Sequence, residues 1–211
     1  MPHRPEAVIF DIGNVLIEWH PERYFDSVMP PAERKRMFAS VDLHAMNDRI
    51  DRGGDFRAII AETARANPVF ADKIMHWHDH WLDLASPAIP RSVALSRALR
   101  REGITTCILS NIGRDTYDLA AARYPFLAEF DHHYLSGHMG VIKPEAEIYE
   151  MVEADCGLSP DRLLFTDDRA DNIAVAAARG WQTHLFQSPE GWADALVRHG
   201  LLSLETASEV S

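Results

Sequence analysis

Little in this chain supports a disulfide framework, a membrane anchor or a basic binding surface. Two cysteines in 211 residues are too few for a stapled scaffold. Cys107 lies inside an apolar run and reads as a buried structural thiol, while Cys156 ends a helix-like segment before Gly157. No apolar span reaches about 18 residues, and Met1-Pro2-His3-Arg4-Pro5-Glu6 carries no signal core, which points to a soluble, cytoplasmic protein. Positive charge is scarce: 21 Lys and Arg stand against 32 Asp and Glu, for a formal net charge of −11. Such a surface excludes nucleic acid as a general partner. It still admits phosphate esters where a divalent cation and a few basic groups reverse the local field.

What the chain does have is a rhythm. Hydrophobic content of 46% supports a real core, in one domain or one domain with an insert. The first apolar run, Ala7-Val8-Ile9-Phe10, ends in Asp11, and Gly13-Asn14 then turns the chain out of the sheet. Four similar runs follow at 105–111, 130–136, 162–168 and 182–187. Helix-period segments at 91–101, 114–124, 144–156 and 170–179 lie between them, bounded by Gly or Pro stop and start signals. This alternation predicts an α/β, Rossmann-like, mostly parallel sheet with helices on both faces. Residues 20–86 break the rhythm with helical pieces and no convincing strand. They read as a helical cap inserted after the first strand, leaving 1–19 and 87–211 as the core. The polar tail 204–211 reads as frayed.

Four polar sites stand at strand ends, where open α/β sheets bind ligands. They are Asp11, Ser110-Asn111, Lys143-Pro144 at a helix start, and Asp167-Asp168 followed by Asp171-Asn172. Each alone could be a cap or a turn. In this order, each at a sheet edge, they form a pattern that caps and turns do not explain.

The motifs hhhhD-x-G-N-V, hhhh-S-N, K-P and hhhh-D-D-x-x-x-N resemble those of the haloacid dehalogenase superfamily, in the C1-capped branch with α-D-glucose-1-phosphate phosphatases and the N-terminal domains of epoxide hydrolases. The resemblance implies a Mg²⁺-dependent phosphatase of a small phosphorylated metabolite. Asp11 would attack phosphorus and form an aspartyl-phosphate. Asp11, Asp168 and the Gly13 carbonyl would ligate Mg²⁺. Ser110, Asn111 and Lys143 would hold the phosphoryl oxygens, and Asp167 and Asn172 would orient the metal and its waters. The spacing leaves one ambiguity, because Asp167-x-x-x-Asp171 has the same form as Asp168-x-x-x-Asn172. The resemblance implies a small-molecule partner, no nucleic acid and no membrane, in a monomer or homodimer. Rival readings are a phospho-ligand-binding protein without turnover and a metal-independent 2-haloacid dehalogenase.

Gly13 departs from the pattern, since most phosphatases of the superfamily carry there an Asp that protonates the leaving alcohol. Losing that acid, typically worth about 10²–10⁴ in rate, favours esters that leave easily, and a sugar 1-phosphate fits. In the insert, His76 and His80 share a helical face, as do Trp77 and Trp81; the histidines lack a third zinc ligand and read as packing. The tryptophans could wall a sugar face. The stretch 47–53 is polar enough to face a substrate, though a solvated loop is the simpler reading. Alternation in the third core strand sends one of His132 and His133 inward, without a catalytic role.

Overall fold

The computed structural model describes residues 3–210; Met1, Pro2 and Ser211 lie outside it. The strands are β1 (Ala7–Phe10), β2 (Ile17–Trp19), β3 (Ala85–Ala88), β4 (Thr105–Ser110), β5 (His132–Leu135), β6 (Leu163–Asp167) and β7 (Gln182–Leu185). The helices begin with α1 (Pro21–Val28), α2 (Pro31–Ser40), α3 (Leu43–Asp51), α4 (Phe56–Ala66), α5 (Ala71–Asp79) and α6 (Trp81–Leu84). They continue with α7 (Pro90–Arg101), α8 (Arg114–Arg123), α9 (Ser136–Met139), α10 (Ala146–Cys156), α11 (Ala170–Ala178), α12 (Pro189–Arg198) and α13 (Leu204–Glu209).

Five strands form one sheet in the order β5-β4-β1-β6-β7, every neighbouring pair parallel. β1 is central, and all four of its residues are buried because helices cover both faces. Side-chain alternation divides the core. Val8 and Phe10 pack with Leu95 and Leu99 of α7 and Trp192 of α12, whereas Ala7 and Ile9 pack with Ile148 and Tyr149 of α10 and Ala176 of α11. Phe10 meets the rings of Phe130 and Trp192 edge-on, each at 5.6 Å. Strand tips at Asp11, Ser110 and Asp167 therefore converge on one edge of the sheet.

The insert hangs from a ribbon that the sequence does not announce. β2 and β3 pair antiparallel, Ile17 with Ala88 and Trp19 with Ala85, so a strand begins at Ala85 where none was expected. Ala-Ser-Pro-Ala has no β-branched residue; pairing with β2 decides its conformation. Between the two strands, α1–α6 bury Phe25, Met37, Ile60 and Ile74 in an apolar cluster continuous with one face of the sheet.

The C-terminal end of α3 is bolted to the core by backbone contact. Gly53 has φ +90°, and a Cβ there would collide with the Gly137 carbonyl. A Cβ on Gly113 would lie 2.9 Å from Ile50 O. Ser136 Oγ donates to Asp51 O at 2.6 Å, and Arg52 pairs with Glu145. Gly53→Ala is expected to cost about 1–3 kcal/mol, read as a lower urea midpoint.

Other expectations need correction. α10 starts at Ala146 rather than at Pro144, because the Asn111 side chain clamps the Lys143 backbone (Lys143 N donates to Oδ1 at 2.8 Å, and Nδ2 to Lys143 O at 2.9 Å). The tail is not frayed through its described part: Ser203 caps α13 and Ala207 is buried. Residues 47–51 are helical and not a solvated loop. His132 and His133 are both exposed, because β5 is an edge strand; His133 Nε2 lies 2.7 Å from Leu127 O.

Candidate active site

Lys143 organises the converging strand tips. Only 2% exposed, its ammonium lies 2.6 Å from Asp167 Oδ2 and 2.9 Å from Asp11 Oδ1, and it donates to Leu109 O at 2.9 Å. Burial works against the Lys143 charge, but the two carboxylates outweigh it and hold its pKa above the ordinary value. Asp11 shows the opposite balance. Burial, helped by Asp167 and Asp168, pushes its pKa up to about 6 against the pull of Lys143. The Lys143 contact to Asp11 is an ion pair out of hydrogen-bond alignment, so Asp11 Oδ1 is buried without an aligned donor.

The two adjacent aspartates have different surroundings. Asp167 is fully buried and saturated: Lys143 Nζ, Asn172 Nδ2 and the Arg169 amide all donate to it. Asp168 is half-buried and takes one side-chain hydrogen bond, from Asn14 Nδ2 at 2.9 Å. Burial raises its pKa, with the Asn14 bond opposing. Asp171 turns outward to Arg169, at 2.6 Å, away from the other three. Carboxylate oxygens of Asp11, Asp167 and Asp168 lie within 4.8 Å of one another, the one such cluster of metal-ligating groups among the described residues.

A cavity of about 260 Å³ opens on these groups. Ser110 lines it at 3% exposure, its hydroxyl without a hydrogen-bond partner among the described residues. Asn111 lines it too, but its side chain is spent on Lys143, which leaves its backbone to meet a ligand. Trp19 and Trp81 form an aromatic wall, with ring centroids 5.9 Å apart. Trp19, His44 and Asn47 also border a second cavity of about 720 Å³ that reaches Phe38 and Trp77. His76 and His80 lie outside the lining of this cavity, their rings tilted with centroids 5.1 Å apart, and His76 Nδ1 lies 2.9 Å from Tyr24 Oη. Cys107 is inert: burial pushes its thiol up to about 12.

Two further residues carry no individual role in the sequence motifs, although Asn14 lies in the first motif and Asp51 in the polar stretch 47–53. Asn14 sits at φ +54°, a left-handed conformation that Asn tolerates, and its side chain joins Asp168 to the Trp19 amide. The Gly-Asn after the strand was the available signal. Asp51, in the last turn of α3, is 7% exposed yet borders the same cavity as Asp11.

Comparisons with known proteins bear on the family and the fold. Bifunctional epoxide hydrolase 2 of Rattus norvegicus is 33% identical over 92 residues, 42% of this chain and 17% of that protein. The chain thus spans about a sixth of the length of that relative. Sesquiterpene phosphatase AstK of Aspergillus oryzae is 31% identical over 91 residues, 43% of this chain and 46% of that one. In fold, the chain resembles a Bacteroides thetaiotaomicron HAD family enzyme solved as a mutant with magnesium and inorganic phosphate. The TM-score is 0.72 at 22% identity, covering 90% of this chain and 98% of the other. Residues 5–180 match the haloacid dehalogenase-like hydrolase family, and the chain belongs to it.

Proposed function

We propose that the chain is a Mg²⁺-dependent phosphatase of a small phosphorylated metabolite, with Asp11 as the phosphoryl-accepting nucleophile. The observation that carries this reading is the cluster of Asp11, Asp167 and Asp168 around the buried Lys143, at the edge of a parallel sheet and open to a cavity. The relative named as a phosphatase and the fold neighbour solved with magnesium and phosphate support it.

The donor set fits a hard cation. All three groups offer oxygen, and Asp11 Oδ1 is a buried acceptor without an aligned donor. Asp11, Asp168 and the Gly13 carbonyl would hold the ion, while Asp167, saturated by Lys143 and Asn172, would fix its surroundings. A bound Mg²⁺ supplies charge neutralisation between the carboxylates and an anionic phosphoryl group. The chain's own residues do the rest. Ser110 Oγ and the backbone near Asn111 bind the phosphoryl oxygens, and Lys143 offsets their charge as Asp11 approaches. Residues 20–86 act as a cap that excludes water and shapes the leaving-group pocket.

With no carboxylate at position 13, a sugar 1-phosphate is the preferred substrate, its apolar ring face against Trp19 and Trp81. A panel of phosphate esters in Mg²⁺ tests both levels. Phosphate release is expected to stop in EDTA and return with Mg²⁺; release that survives chelation overturns the metal-dependent reading. Equal turnover of the 1- and 6-phosphates of one sugar removes the anomeric preference.

A further inference from the structure

Gly13 leaves the proposed reaction without a proton donor on β1, and the insert carries a carboxyl into the same cavity. Asp51 ends α3 at 7% exposure and lines the cavity with Asp11. Asn47 Nδ2 donates to its Oδ2 at 2.7 Å, and no Lys or Arg among the described residues pairs with it. The charged groups facing it are Asp48 on its own helix, Asp11 at the tip of β1, and Lys143. Neighbouring Arg52 is committed to Glu145, and Arg114 donates to Gly137 O. Burial first, then Asp48 and Asp11, push the Asp51 pKa up to about 8, so the carboxyl holds its proton at neutral pH. Its position is fixed, because Ser136 Oγ grips its backbone carbonyl and the Gly53–Gly137 contact seats the end of α3 on the core.

The geometry points to Asp51 as the group that protonates the leaving oxygen, in place of a side chain at position 13. The inference rests on the phosphatase reading and deepens it. As Asp11 oxygen bonds to phosphorus, the bond from phosphorus to the ester oxygen breaks, and its electron pair stays on that oxygen. The oxygen takes the Asp51 proton and departs as the alcohol. Asp51, now a carboxylate, accepts a proton from the water that attacks the aspartyl-phosphate. The Asp11–phosphorus bond then breaks, releasing phosphate and restoring both aspartates.

Asp51→Asn keeps the shape and the hydrogen-bonding atoms but cannot give up a proton. In Mg²⁺ it is expected to lose about 10²–10³-fold in kcat/KM on an alkyl or sugar phosphate, the constant that stops at release of the alcohol and so leaves out hydrolysis of the shared aspartyl-phosphate. On p-nitrophenyl phosphate, whose leaving phenolate needs no proton, kcat/KM should stay within about threefold. Wild-type kcat/KM on the alkyl ester should fall at alkaline pH as Asp51 loses its proton, and the p-nitrophenyl profile should not. Equal losses on both esters, or no loss on either, overturn the proposal. If the variant does not fold, superimposable wild-type pH profiles for the two esters overturn it equally. A wild-type enzyme inactive on every ester in Mg²⁺ instead refutes the phosphatase reading.

Discussion

Asp11→Asn is expected to abolish Mg²⁺-dependent phosphate release, a loss on the order of 10⁴-fold or more. An amide oxygen is not a competent nucleophile toward phosphorus, so the bond-making step itself is removed. The substitution should spare the fold. Asp11 is a buried acid repelled by Asp167 and Asp168, and its replacement relieves that repulsion while Lys143 keeps Asp167 at 2.6 Å. Thermal midpoints of the two proteins should therefore lie close together, which separates lost chemistry from lost structure. Residual turnover within tenfold of wild type would eliminate the aspartyl-phosphate route.

Lys143→Met should show the largest loss of stability. The ammonium is the one cation contacting Asp11 and Asp167 among the described residues, and all three groups are nearly without solvent. Removing one partner of a buried ionic set strands the others, at a cost of about 3–5 kcal/mol. For a chain of this size that lowers the thermal midpoint by roughly 6–20 °C. Mg²⁺ should restore more of the midpoint in the variant than in wild type, since a divalent cation offsets the same carboxylates. An unchanged midpoint without metal would show that water reaches Asp11 and Asp167 and shields them.

The strand tips were legible because a parallel sheet buried on both faces forces continuous apolar runs. A lone polar residue ending such a run, as at Asp11, Ser110 and Asp167, is then conspicuous. The ordering of Asp167 and Asp168 was not legible. Both spacings fit the motif, and only the three-dimensional placement of Asn172 and Asn14 distinguishes the saturated carboxylate from the open one. Ala85–Ala88 escaped notice because its conformation comes from pairing with a distant strand. Asp51 escaped for a related reason. It sits among charged neighbours typical of a solvated face, and its burial comes from the close approach of Gly53 to Gly137 and of Ile50 to Gly113 of the core. Side-chain periodicity carries no record of backbone contact between elements so far apart.

The parallel pairing of β1 also bears on biosynthesis. Ala7 lies beside Thr105 on one side and Leu163 on the other, so the central strand leaves the ribosome well before either of its partners. At ordinary elongation rates, roughly 10–30 s separate synthesis of β1 from that of β6. Until β4 emerges Ala7-Val8-Ile9-Phe10 has neither edge satisfied, and one edge stays open until β6, while the helices of the insert can already form from local contacts. The nascent chain thus holds a sticky tetrapeptide in waiting. Chaperone demand should be greatest before β6 emerges.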